Sequence, residues 1–131
     1  LRSIVFDNPA ERKWLESVTH PRVRERILVH LERLQCQSPY VLLVSPLLFE
    51  SGQDKLVDRT VVVDVPVELQ LSRTRARDDV SEAQVHAILA AQLPREERLT
   101  KANDVIDNSG DHASMMQQVT QLDQHYRNKY L

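Results

Sequence analysis

Thr60-Val61-Val62-Val63-Asp64-Val65-Pro66 is the stretch that decides how this chain folds. Three consecutive valines leave no polar face, so the run reads as a buried strand, and Pro66 closes it. Val67 to Arg77 reads as a helix leaving that strand. Upstream, Tyr40-Val41-Leu42-Leu43-Val44 has the same two-sided apolar character and predicts a second strand. Downstream, Asp104-Val105-Ile106-Asp107 predicts a brief third strand, turned by Asn108-Ser109-Gly110. Ser81 with Gln84 forms a capping box for a helix through Val85, Ile88 and Leu89. Pro94 opens another, through Arg98 to about Ala102.

The flanks complete the pattern. Asn8 as N-cap and Pro9 at the first helical position start a helix through Trp14 and Val18. That helix is expected to stop before Pro21, because proline disfavours the helical conformation at His20. Pro21 then opens a second helix with Val23, Ile27, Leu31 and Leu34 as its apolar stripe, ended by Ser38 and Pro39. Trp14 reads as packing and Cys36 as an incidental thiol. The tail from Asp111 carries Met115, Met116, Val119, Leu122 and Tyr126, a stripe expected to pack on the sheet. Helices, strands, helices, strand and helix in this order predict an α/β layered fold.

Composition narrows the function. The 131 residues are 41% apolar and 27% charged, which fits one globular domain and excludes disorder. Roughly two-thirds of the surface of a chain this size is buried on folding. The Tyr40 to Val44 run is far shorter than the ~20 residues a membrane span needs. Seventeen basic against nineteen acidic residues give a net charge of −2, so no basic excess points to nucleic acid. A single cysteine rules out an internal disulfide and fits a reducing, cytoplasmic setting. The five histidines, His20 among them, show no metal-ligand spacing, and no metal site is read. There are two glycines where average usage gives roughly nine. Neither a GxxxxGK[ST] loop nor a GxGxxG fingerprint is present. The chain starts at Leu1 rather than Met, and a processed or truncated start is expected.

Several constellations can carry chemistry. Arg73, Arg75 and Arg77 lie on one helix, with 73 and 77 on a shared face; Arg95 and Arg98 follow across the helical insertion. Guanidinium forks bind phosphate oxygens in pairs of hydrogen bonds, so such a segment suits a phosphoryl-transfer lid. Ordinary ion pairs, Arg75 with Asp78 or Asp79 and Arg95 with Glu96 or Glu97, explain the same residues. On spacing alone they are the stronger reading. Pro46-Leu47-Leu48-Phe49-Glu50 and Asn108 to Gly110 follow strands, where ligands of open α/β sheets bind. On the residues alone, core packing for Leu47 to Phe49, a turn cap for Glu50 and a plain turn at Asn108 are the stronger readings. His20 before Pro21 stands either as an anion contact at a helix start, with Arg22 and Arg24, or as a simple N-cap.

Taken together, Ile4-Val5-Phe6-Asp7-Asn8-Pro9, Thr19-His20-Pro21, Pro46 to Glu50, Val61 to Val65, Arg73 to Asp79, Gln84 to Gln92, Arg95 to Leu99 and Asp104 to Gly110 resemble dephospho-CoA kinase, in that family's order and spacing. The resemblance implies a partial P-loop kinase fold: a parallel sheet remnant with helices, a CoA-binding helical region and a helical lid. It implies a helical region over 1–39, a core over 40–66 and 103–131, and an arm and lid over 67–102. The implied activity is ATP- and Mg²⁺-dependent phosphorylation of the 3′-hydroxyl of dephospho-CoA. Arg73 and Arg77 match the phosphate-stabilising catalytic arginines of the lid base. Arg98, Asn108 and Gly110 match ATP contacts; His20 and Pro46, Leu47, Leu48, Phe49 and Glu50 match the dephospho-CoA region. Family members also carry an amino-terminal strand, a glycine-rich loop with Lys and Ser/Thr, and an Asp proposed as base. None is present, so the chain resembles the carboxyl-terminal two-thirds and is expected to be inactive alone, with self-association through an exposed sheet edge. Alternatives are a non-catalytic CoA- or nucleotide-binding module and another P-loop small-molecule kinase. No nucleic acid or membrane partner is expected.

Overall fold

The computed structural model describes residues 4, 5 and 8–130. Phe6 and Asp7 of the first motif, with residues 1–3 and 131, lie outside the described residues. The chain divides into two compact units, Leu1–Val41 and Leu42–Leu131.

The long element of the first unit is α1 (Pro9–Gln35), a helix of 27 residues. Asn8 caps it, its side chain accepting from the amides of Ala10 and Glu11. The expected break at Pro21 is absent: the proline sits inside the helix. It has no N–H to offer the carbonyl four residues back, and its ring crowds the preceding turn. Long stretches of strong helix formers (Glu, Arg and Leu) on either side outweigh that local penalty. Thr19 Oγ1 donates to the Leu15 carbonyl at 2.8 Å, tying the turn before the proline with a side chain. The half-buried face runs Leu15, Thr19, Ile27, Leu31, Leu34, while Val23 is exposed and Trp14 is 63% exposed, not packed as expected.

In the second unit a two-stranded parallel sheet, β1 (Val61–Asp64) and β2 (Asp104–Asp107), pairs Val61 with Asp104 and Asp64 with Asp107. Parallel pairing demands a long crossover. Here α2 (Val67–Asp78), α3 (Glu82–Ala90) and α4 (Arg95–Lys101) provide it, and α5 (His112–Tyr130) follows β2. The Ser81–Gln84 capping box forms as read. The expected strand at Val41 to Val44 does not form. A strand exists only through ladder hydrogen bonds, and β1 pairs with β2 alone among the described residues. Exposure along the run still alternates, with Leu42 and Val44 outward and Val44 88% exposed.

The buried residues among those described are Val85, Tyr126 and Thr60. The α5 stripe is Met115, Gln118, Leu122 and Tyr126 rather than the expected one; Met116 and Val119 face outward. Thr60 stitches the sheet's entry: its amide donates to Asn103 Oδ1 at 2.8 Å and its carbonyl accepts from the amides of Asn103 and Asp104. Below it, Arg59 grips Asp104 with two hydrogen bonds of 2.9 and 3.0 Å, and the Tyr126 hydroxyl donates to the same carboxylate at 2.6 Å. These bonds hold Asp104's carboxyl below the usual carboxylate range, while burial and Asp104 push the Tyr126 phenol up to about 12. Tethering α5 to the start of β2 in this way leaves the opposite, carboxyl ends of both strands open to carry a site.

Candidate functional site

The carboxyl ends of β1 and β2 bring Asp64 and Asp107 side by side. Two carboxylates on adjacent strands repel one another and would repel an anionic ligand. Arg95, at the start of α4, answers this with two hydrogen bonds to Asp64, 2.8 Å from Nε and 2.7 Å from a terminal nitrogen. Asp64 is only 12% exposed. The bonded guanidinium holds its carboxyl below the ordinary range, against a desolvation effect in the other direction, and Arg98 adds to the lowering. Asp107 is also lowered, by hydrogen bonding from Ser109, whose amide donates to it at 2.8 Å.

One turn further along α4, Arg98 has its Nε buried with no hydrogen-bond partner among the described residues. A buried donor left unpaired costs about 1–3 kcal/mol. From the other side, Arg73 on α2 reaches the turn after β2 and donates to the Asn108 carbonyl at 2.7 Å. The Asn108 amide in turn donates to the Asp64 carbonyl at 2.8 Å, continuing the ladder one residue past the strands. Gln118 of α5 closes the set: its side chain accepts from the Asp107 amide and donates to the Asp107 carbonyl. Three arginines therefore stand around two carboxylates at one edge of the sheet. Glu68 also acts on Arg95, so the charges nearly balance; Arg98, whose Nε is not taken up by a carboxylate, is the group that can turn to an anion such as a phosphate.

The expected residues distribute unevenly. Arg73, Asn108 and Arg98 belong to this edge. Arg77 does not share Arg73's engagement: it pairs with its neighbour Asp78 at 2.6 and 2.8 Å and is largely exposed. The ion pairs expected from spacing are also redistributed. Arg75 lies 3.8 Å from Glu82, and Arg95 bonds Asp64 rather than Glu96 or Glu97. Gly110 follows the Asn108 turn, and a Cβ there would meet only the Ser114 side chain at ordinary contact distance. Pro46 to Glu50 form successive turns in which Leu48 and Phe49 are half-buried. The Glu50 carboxylate accepts from the Leu93 amide at 2.9 Å, linking these turns to the α3–α4 connection. His20 lies within the first unit, exposed in mid-helix, so no helix start exists there for an anion.

Asp64 and Gln118 were not anticipated as site residues. An acid ending an apolar strand is the signal for Asp64, since a charge at that point needs a partner. Nothing in the sequence singles out Gln118. A groove of about 570 Å³ between α2 and α3 gathers Glu68, Asp79 and Glu82 around Arg75. Of the arginines expected in a lid it holds only Arg75, and its acidic lining disfavours phosphate. Among the described residues no His, Cys, Asp or Glu set is grouped to hold a metal ion, and no helix is long and apolar enough to cross a membrane.

Against known proteins, the family model for dephospho-CoA kinase matches residues 1–114. A dephospho-CoA kinase of Idiomarina loihiensis is 50% identical over 126 residues, covering 96% of this chain and 61% of the relative. One from Shewanella oneidensis is 45% identical, covering 96% and 60%. The solved dephospho-CoA kinase from Campylobacter jejuni aligns with a TM-score of 0.71 at 31% identity, over 100% of this chain and 67% of that one. The crystal structure of TT1252 from Thermus thermophilus aligns with a TM-score of 0.79 at 34% identity, over 94% and 63%. The chain spans about three-fifths of the length of the curated relatives it matches.

Proposed function

The chain belongs to the dephospho-CoA kinase family, and we propose that it serves an enzyme transferring a phosphoryl group from ATP to the 3′-hydroxyl of dephospho-CoA. The observation that carries this beyond kinship is the arginine cluster at the carboxyl edge of the sheet, with a buried guanidinium nitrogen of Arg98 still lacking an acceptor. Phosphoryl transfer needs positive charge fixed around the moving group more than it needs covalent chemistry. Arg73 supplies that charge from a fixed edge, and Arg98 binds the ATP phosphates beside it. Arg77, exposed on the lid base, is the arginine free to exchange its Asp78 partner for a phosphate. Asn108 and Gly110 serve the adenine side; His20 and the Pro46 to Glu50 turns serve dephospho-CoA.

In this scheme residues 1–39 form the CoA-facing helical region, 40–66 and 103–131 the core, and 67–102 the arm and lid. Mg²⁺ accompanies the ATP phosphates in the proposal, but the described residues offer no ligand set for it, and no step is derived through it. The protein is proposed to act in the cytoplasm, and the two-stranded sheet, whose edges have no strand beside them among the described residues, makes self-association of the isolated chain the expected behaviour.

The test is turnover of the complete gene product with ATP and dephospho-CoA, read by ADP release and by the mass of the product. A wild-type protein without turnover refutes the proposal. Replacing Arg73 or Arg77 with Ala is expected to lower kcat by about 10²-fold, as for loss of one charge-stabilising donor. The 131-residue polypeptide alone should show no turnover above a no-enzyme control, since its two glycines cannot form a phosphate-cradling loop. A second reading, a CoA- or nucleotide-binding module, draws on that same shortage. Calorimetric binding of either ligand by a complete gene product that does not turn over would favour it.

A further inference from the structure

We propose that Asp64 is a positioning residue for the nucleotide site: by clamping Arg95 it fixes the start of α4 on the sheet and thereby aims Arg98 at the phosphates of ATP. The inference rests on the kinase reading above and deepens it. Three observations carry it. Asp64 ends β1 and is almost covered, so its carboxylate needs a fixed cation. Arg95 satisfies it through both prongs of its fork, at 2.8 and 2.7 Å, a geometry that sets the angle as well as the distance of the guanidinium. Arg98 lies three residues on in the same short helix, one turn away, with its Nε buried and without an acceptor.

α4 has seven residues and no side-chain cap at its start, so its own hydrogen bonds cannot define where it lies. The clamp does this from outside the helix. Because Asp64 is itself part of the ladder edge, with its carbonyl accepting from the Asn108 amide at 2.8 Å, the same residue references α4 to the adenine-side turn. Asp64 touches no substrate in this scheme. Its charge matters through Arg95, and its position matters through Arg98.

The experiment measures steady-state kinetics of the complete gene product carrying Asp64→Asn, Arg95→Lys, Arg98→Gln and the Asp64→Asn/Arg98→Gln pair. Asp64→Asn should raise KM for ATP about tenfold and leave KM for dephospho-CoA within about twofold, because only nucleotide binding is disturbed. Arg95→Lys keeps the charge but not the fork and should behave alike; it carries the test if Asp64→Asn does not fold. In the Arg98→Gln background, Asp64→Asn should add less than twofold to KM for ATP, since the group it aims is already gone. A purely structural role predicts otherwise: a lower Tm and a smaller active fraction, seen in kcat, with both KM values unchanged. That result, or full additivity in the double variant, overturns the proposal. A wild-type protein with no turnover overturns the kinase reading and the positioning role together, whereas normal wild-type turnover with unshifted variants overturns only the latter.

Discussion

Removing the Tyr126 hydroxyl tests whether the Arg59–Asp104–Tyr126 network holds α5 to the sheet. Tyr126→Phe keeps the ring that fills the core and deletes one 2.6 Å hydrogen bond to a carboxylate. A bond to a charged acceptor contributes about 1.5–3 kcal/mol, and the hydroxyl leaves no cavity, so a loss of about 2 kcal/mol is expected. Asp104→Ala is more severe, because it removes the acceptor shared by the phenol and the two donating nitrogens of Arg59. Breaking a fully buried pair costs about 3–5 kcal/mol; with Asp104 16% and Arg59 26% exposed, water recovers part of this, and about 3 kcal/mol is expected. For a domain of this size each kcal/mol shifts Tm by about 3–6 °C. Thermal unfolding followed by circular dichroism should therefore place Tyr126→Phe about 6–12 °C below wild type and Asp104→Ala lower still. The double variant should fall short of additivity by about 1 kcal/mol or more, since both changes remove the same bond. A Tyr126→Phe change under about 0.5 kcal/mol, or strict additivity, would refute the assignment of this network as the tether.

That network and the Asp64–Arg95 pair together set a pH signature. Asp64 and Asp104 both titrate below the ordinary carboxylate range when folded, so their contribution is complete above about pH 4 and is lost as pH falls through the lowered native values. Tyr126 is raised, so its contribution is intact below about pH 10 and is lost as pH rises toward 12; phenolate absorbance of folded protein should show one tyrosine titrating about two units above the denatured chain. Pro21→Ala should lengthen no helix but strengthen α1 by about 1–3 kcal/mol, measured as higher thermal stability, and a destabilised variant would mean that the proline is needed there. Gly52→Ala should cost about 1 kcal/mol through backbone strain alone, because its φ of 72° is left-handed and an added Cβ meets nothing within 4 Å; an unchanged Tm would contradict that.

Local signals were legible where one residue type decides the outcome. Asn8 and Ser81 with Gln84 mark helix starts through hydrogen bonds that reach only a few residues, and Pro94 marks one without a side-chain cap, through its fixed φ. Where the outcome depends on distant partners, local reading fails in definable ways. Val41 to Val44 has strand composition but gains no ladder, since strand formation requires a neighbour that composition does not specify. Pro21 carries a real penalty that a 27-residue helix absorbs. Met116 and Val119 look like stripe residues, but the hydrogen bonds of Gln118 and Tyr126 set the rotation of α5 by a fraction of a turn. At the site, an arginine-rich segment is visible in sequence; that Arg95 reaches back 31 residues to Asp64 is not. Such a bond follows from the crossover geometry, and the spacing of Arg95 from Glu96 and Glu97 suggests a different partner.

The Asp64–Arg95 clamp also makes the intervening arm a closed ring pinned at its base. The entropy of closing a loop grows only with the logarithm of its length, so doubling a 31-residue excursion costs about 0.6 kcal/mol. Length within the ring is thus cheap to change, and the two residues that shut it are not. Evolution or an engineer can lengthen the connections within the arm with little effect on folding, provided the fork at its base stays closed and Val85 keeps its buried place.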